Sequence, residues 1–103
     1  MSTTTFVKLS GAEIAAALST LPGWTFEEGK LHREYEFVDF VAAFGFMTSV
    51  ALVAQRMDHH PEWFNVWNRI RVDLTTHDAG GVTALDIGLA HSMHELAGRL
   101  LGR

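Results

Sequence analysis

The stretch from Phe40 to Met57 leaves a fold the least freedom. Phe40, Phe44, Met47, Ala51 and Ala54 recur at helical spacing as one stripe, and Val41, Phe46, Val50, Leu52 and Val53 widen it almost all round. Asp39 stands ready as the N-cap, so the pattern predicts a helix over 40–57. A helix this apolar cannot have a single dry face. Either a sheet covers one side and another subunit the other, or the domain exposes a patch that draws a partner. A subunit interface is the expectation. The run from Phe40 to Ala54 contains Thr48 and Ser49 and falls short of the roughly 20 residues that span a bilayer, which predicts a core helix and no membrane association.

The rest of the chain is organised around that helix. Ser10 with Glu13 is a capping box, and Ile14, Ala17, Leu18 and Leu21 follow at helical spacing until Pro22-Gly23, predicting a first helix near 11–20. Trp24 to Glu27 and Leu31 to Phe37 flank Glu28-Gly29 as a β-hairpin, with Leu31, Arg33, Tyr35 and Phe37 on one face. After His59-His60-Pro61, the residues Val66, Asn68, Ile70, Val72 and Leu74 alternate with Trp67, Arg69, Arg71 and Asp73 in a strand pattern. Gly80-Gly81 makes a loop. Thr83 with Asp86 then opens a last helix through Leu85, Leu89, Met93, Leu96 and Leu100. Hairpin connections favour an antiparallel sheet with helices on one face, an α+β arrangement. No repeat, linker or low-complexity tract divides residues 1–103, so one domain is expected.

Composition narrows function by exclusion. The chain has no cysteine, which removes disulfides, thiolate nucleophiles and thiolate metal sites together and suits a reducing compartment. Met1 to Thr5 lacks the basic start and apolar stretch of a secretory signal, and a cytoplasmic location is expected. A formal net charge of -4 without a Lys/Arg cluster argues against nucleic acid as a direct partner. A domain of this size buries only about two-thirds of its unfolded surface, so association with copies of itself would help its stability.

Histidine is the unusual residue. His59, His60, His77, His91 and His94 all lie in the last 45 residues, and the first three stand at predicted strand ends, where loops commonly hold functional groups. Histidine is the side chain best suited to exchange protons near neutrality. Distance supplies a test. A single straight strand from Trp63 to Thr76 would be on the order of 40 Å long at roughly 3.3 Å per residue, keeping His60 and His77 apart. Either the chain reverses between about Asn65 and Arg69, or the site forms between subunits. His32, His91 and His94 read more simply as surface or satisfied residues. His91 and His94 sit three apart on a helix, but no carboxylate-histidine motif accompanies them, and no metal is expected. Trp63 stands beside the histidine pair and could border a flat heterocycle, whereas Phe64 and Trp67 read as core or interface aromatics. Asp58 and Asp86 fit helix ends. Spacing alone leaves open a proton-transfer site or a metal site.

The segment Asp58-His59-His60-Pro61-Glu62-Trp63-Phe64-Asn65-Val66, with Asn68, Thr75-Thr76-His77 and Asp86 beyond it, resembles the signature of the pterin-4a-carbinolamine dehydratase family. Phe44-Gly45-Phe46-Met47-Thr48 and Val50-Ala51-Leu52 match it too, and the likeness runs from Trp24 to Ala97. The resemblance implies a two-layer α+β fold, a four-stranded antiparallel sheet with three helices on one face in the order α-β-β-α-β-β-α, assembled as a homodimer or homotetramer. It also implies that Trp63 to Thr76 supplies two strands. The implied reaction removes water from a 4a-hydroxy-tetrahydropterin left by an aromatic amino acid hydroxylase, giving quinonoid dihydropterin without any cofactor. His59 and His77 correspond to an acid–base pair, in either order, and His60 to the residue that holds the ring and assists. Asp58, Pro61, Trp63, Thr75, Thr76 and Asp78 correspond to the pterin pocket. Animal relatives often carry Glu-Lys where this chain has Gln55-Arg56, and Tyr in place of Trp67. Gln55 supplies no negative charge, so a lower pH optimum than in Glu-bearing relatives is expected.

Two other readings compete with the enzyme. Relatives also serve as dimerisation partners of a transcription factor, so a non-catalytic scaffold module is the alternative, and a metal-dependent hydrolase using the same histidines ranks last.

Overall fold

The structure, a computed structural model, describes residues 6–100. Met1 to Thr5, on which the expectation of a cytoplasmic location partly rests, lie outside the described residues. The elements run α1 (Gly11–Leu18), β1 (Thr25–Glu27), β2 (Lys30–Glu36), α2 (Phe40–Met57), β3 (Glu62–Val66), β4 (Arg69–Leu74), a 3-10 turn (His77–Ala79) and α3 (Ala84–Leu100). The capping box of α1 forms as the sequence predicts, Glu13 N–H donating to Ser10 Oγ at 3.1 Å and Ser10 N–H to Glu13 Oε1 at 2.8 Å. Asp39 caps α2 by accepting from Ala42 N–H at 2.8 Å.

All four strands pair antiparallel in the order β1-β2-β4-β3. Period-two alternation places Leu31, Tyr35, Ile70, Val72 and Leu74 on the face that the helices cover. There Phe46 of α2 meets Tyr35 and Phe37 at ring-centroid distances of 5.0 and 5.1 Å, the aromatic centre of the core. Glu62, His32, Glu34, Arg71 and Asp73 lie in register on the opposite, open face.

Two details differ from the periodicity reading. The line α2 buries is Ala43, Phe46, Val50 and Ala54, while Phe40, Val41, Phe44 and Leu52 remain exposed. A helix apolar all round offers several equivalent stripes, and only the sheet's position selects one. The single strand suggested by alternation from Val66 to Leu74 is two strands. The chain turns at Trp67-Asn68, Trp67 taking a left-handed φ of 49°. Asn65 Nδ2–H pins that turn by donating to the carbonyls of Trp67 and Arg69 at 3.1 and 2.9 Å. The reversal required for the histidines to meet therefore falls within the predicted interval, and the family's strand count holds.

Candidate active site

The end of α2 delivers the first two histidines. Asp58 stops the helix in the left-handed conformation, φ 52° and ψ 42°, where glycine is usual. Its N–H donates to Gln55 O at 3.1 Å and the His59 N–H to Ala54 O at 3.0 Å, the paired bonds of a Schellman stop. A side chain in this conformation costs roughly 1–2 kcal/mol, least for Asp and Asn. The turn sends consecutive residues to different surroundings: His59 is buried, and His60 is exposed.

The third histidine comes from the far end of the β3–β4 hairpin. Beyond Leu74, Thr76 and Gly81 exchange backbone bonds of 2.9 and 3.3 Å, closing a tight loop whose Gly80 has φ 75°. His77 projects from this loop with its side chain 81% exposed. Asp58, His59, His60, Thr75, Thr76, His77 and Asp78 line one cleft of about 280 Å³. It is not the largest hollow. A groove of about 490 Å³ on the sheet's open face is bordered by Glu34, Glu36, Phe64 and Arg71, but it carries no histidine.

Within the cleft, each histidine is held through the same ring atom. His59 Nε2 lies 2.6 Å from Asp86 Oδ1, His60 Nε2 lies 3.0 Å from Gln55 Oε1, and His77 Nε2 lies 3.1 Å from Glu62 Oε2. Every partner is an acceptor oxygen, so each neutral ring carries its proton on Nε2 and keeps the Nδ1 lone pair. Three rings in one tautomer around one cleft can give and accept protons.

Their supports differ. Asp86 is fully buried, and its second oxygen accepts from Thr76 Oγ1 at 2.7 Å and from Thr83 N–H at 2.9 Å. The same carboxylate thus caps α3 and holds His59. Glu62 is part-exposed, and its other oxygen accepts from Lys30 Nζ at 2.5 Å. That bond is the main influence keeping the Glu62 carboxyl below the usual range. Burial works against it, while the Lys30 charge and the bond from His77 add to it.

The pocket residues implied by the resemblance divide into two groups. Asp58, Thr75, Thr76 and Asp78 border the cleft beside the histidines. The Thr76 hydroxyl donates its proton to Asp86 and lies 2.8 Å from the Thr83 hydroxyl. Pro61 and Trp63 lie outside the cleft's lining, and Trp63 packs partly buried against the core. Among the described residues no group of three or more His, Asp or Glu side chains could hold a metal ion. His91 approaches the Thr20 hydroxyl at 3.2 Å.

Residues 7–96 match the family described as Pterin 4 alpha carbinolamine dehydratase. The chain belongs to that family. A Solibacter usitatus protein named as a putative pterin-4-alpha-carbinolamine dehydratase is 61% identical over 90 residues, covering 87% of this chain and 95% of that one. A Rhodopseudomonas palustris protein of the same name is 52% identical over 98 residues, 93% of this chain and 97% of that one. A Brucella melitensis crystal structure described as a transcriptional coactivator/pterin dehydratase superposes with a TM-score of 0.86 at 47% identity, covering 88% of this chain and 99% of that one. The protein is accordingly an enzyme of the hydro-lyase class, a dehydratase.

Two supporting residues of this cleft escape sequence reasoning. Asp86 reads as a helix-end residue, and it is one. What the sequence does not show is that α3 docks so that its cap carboxylate lands beside His59. Glu62 sits inside the family signature, but its link to Lys30 depends on the strand order that sets β2 and β3 on either side of β4.

Proposed function

We propose that His59, His60 and His77 carry the dehydration by general acid–base chemistry. The 4a hydroxyl leaves as water once protonated, a ring nitrogen of the pterin loses its proton, and a C=N bond forms, giving quinonoid dihydropterin. One of His59 and His77 delivers the proton and the other takes one, each step contributing roughly 10² to 10⁴-fold. His60 steadies the ring system, and backbone groups from Thr75 to Asp78 meet its polar edge. The observation that supports this reading is the common tethering through Nε2 of three rings that line one cleft, which leaves each Nδ1 outside those bonds. The product is the form in which the cofactor of aromatic amino acid hydroxylases returns to use, and the lack of cysteine fits cytoplasmic work. The decisive assay generates the carbinolamine transiently and follows its decay with wild type, His60→Ala and His77→Ala. Wild type should accelerate the decay and His77→Ala should lose most of that effect; no acceleration by wild type ends this reading.

We further infer that the enzyme is a homo-oligomer closed through α2. The exposed Phe40, Val41, Phe44 and Leu52 form an apolar face on a helix whose other side is already packed, and self-association removes it from water. Sedimentation should find a dimer or tetramer that Phe44→Glu weakens. A monomeric wild type at micromolar concentration would leave this face to a foreign partner, the scaffold alternative.

A further inference from the structure

We propose that Glu62, anchored by Lys30, is a positioning residue that fixes the ring orientation and tautomer of His77. The inference deepens the acid–base reading of the cleft and rests on it. Lys30 begins β2, Glu62 begins β3, and β4 lies between them, so the Lys30 side chain crosses the open face of the central strand to reach Glu62. Just past the end of β4, His77 donates to the other carboxylate oxygen at 3.1 Å. One carboxylate therefore joins two flanking strands to the loop that carries the histidine.

Stability does not explain this arrangement. The side chains of Lys30, Glu62 and His77 are 36%, 39% and 81% exposed, and ion pairs this exposed add little to stability. What the chain of contacts does is restrict a rim side chain that would otherwise sample several rotamers. It also sets the proton on Nε2, which commits Nδ1 as the working nitrogen. The chemistry of the two neighbours requires a carboxylate. The Lys30 ammonium and the His77 Nε2–H are both donors, and only a carboxylate offers each its own oxygen. The surrounding charges agree, since Glu62, Asp73 of β4 and Glu28 of the β1–β2 turn all favour charged Lys30. The bond from Lys30 in turn keeps Glu62 ionised below the usual carboxylate range.

The test uses full-length Glu62→Gln and Lys30→Met, with circular dichroism to show that both fold. Histidine nitrogen shifts are read by NMR alongside steady-state kinetics. Gln has one acceptor oxygen for two donors, so His77 should lose its uniform Nε2–H tautomer. In the same variant kcat should fall about tenfold to a hundredfold with KM within about twofold, the split expected when a reacting group is misplaced and binding is spared. Lys30→Met leaves both carboxylate oxygens in place, so it should keep the tautomer at pH 8 and lower kcat by less than Glu62→Gln does. A Glu62→Gln variant with wild-type kcat, or one whose His77 keeps the Nε2–H tautomer, overturns the proposal. The tautomer is measured without turnover, so an inactive wild type would sink the acid–base reading while Glu62 remained separately tested.

Discussion

His59–Asp86 and His77–Glu62 are the same chemical unit held by opposite means. In the first, the carboxylate has no exposed surface and every oxygen is matched by donors from Thr76, Thr83 and the ring. In the second, the carboxylate is part-exposed and kept in place by a lysine. Burial makes the first pair part of the fold, inseparable from the start of α3. The second is an attachment that the fold can lose. One cleft is thus lined by a fixed histidine–carboxylate pair and an adjustable one.

The contrast is broken most severely at Asp86. In Asp86→Asn one face of the amide presents N–H to groups that are themselves donors, and leaving buried polar atoms unmatched costs about 1–3 kcal/mol each. Unfolding free energy from urea titration should fall by about 3 kcal/mol, and kcat should drop by at least about a hundredfold. Glu62→Gln should change stability by less than about 0.5 kcal/mol. Equal destabilisation of both variants would erase the distinction. A smaller effect is expected at Gln55, the neutral partner of the third ring. Gln55→Glu places a carboxylate beside His60, which favours its protonated form, so the pH–rate profile should move up by about half to one pH unit. An unmoved profile would remove Gln55 from any account of the pH optimum.

An effect on stability alone, with none on turnover, belongs to a histidine outside the cleft. His32 has both ring nitrogens engaged, Nδ1 with Asp73 at 2.8 Å and Nε2 with Glu34 at 2.9 Å, leaving none for chemistry. Burial alone would lower its pKa, but the bonds to Asp73 and Glu34 and the charges of Asp73 and Glu27 outweigh it and the net shift is upward. A raised pKa stabilises the fold fully below the unfolded value near 6.5, and the contribution fades as pH rises through the folded value. His32→Gln should therefore cost up to about 1 kcal/mol at pH 5.5 and less at pH 8.5. A cost that grows with pH would contradict this assignment.

Much of the molecule is readable in the sequence because it depends on local rules. Capping residues place three helices, alternation places the strands, and the distance between His60 and His77 leaves either a reversal of the chain between them or a site formed between subunits. What stays hidden depends on how elements dock. Periodicity cannot choose the buried stripe of α2, because several stripes are equally apolar. The second role of Asp86 needs the position of α3 relative to the Schellman stop, and the Lys30–Glu62 link needs the strand order. Trp63 looks suited to a ligand by its neighbours in sequence, yet strand alternation turns it toward the core.

The two-residue turn at Trp67-Asn68 lies at the end of the hairpin remote from the histidines, on a surface where a change in loop length would ordinarily be harmless. Asn65 ties it to the carbonyls on either side, and Asn68 ties it to Phe37, donating to that carbonyl at 2.8 Å. Because side chains alternate faces with each residue, a one-residue slip in the β3–β4 pairing would carry Glu62 away from Lys30 and His77 and bring Trp63 to the open face. The histidine cleft therefore constrains the length of a loop it never touches. Insertions tolerated elsewhere on the molecule's surface should be selected against here, and the two asparagines guard that count.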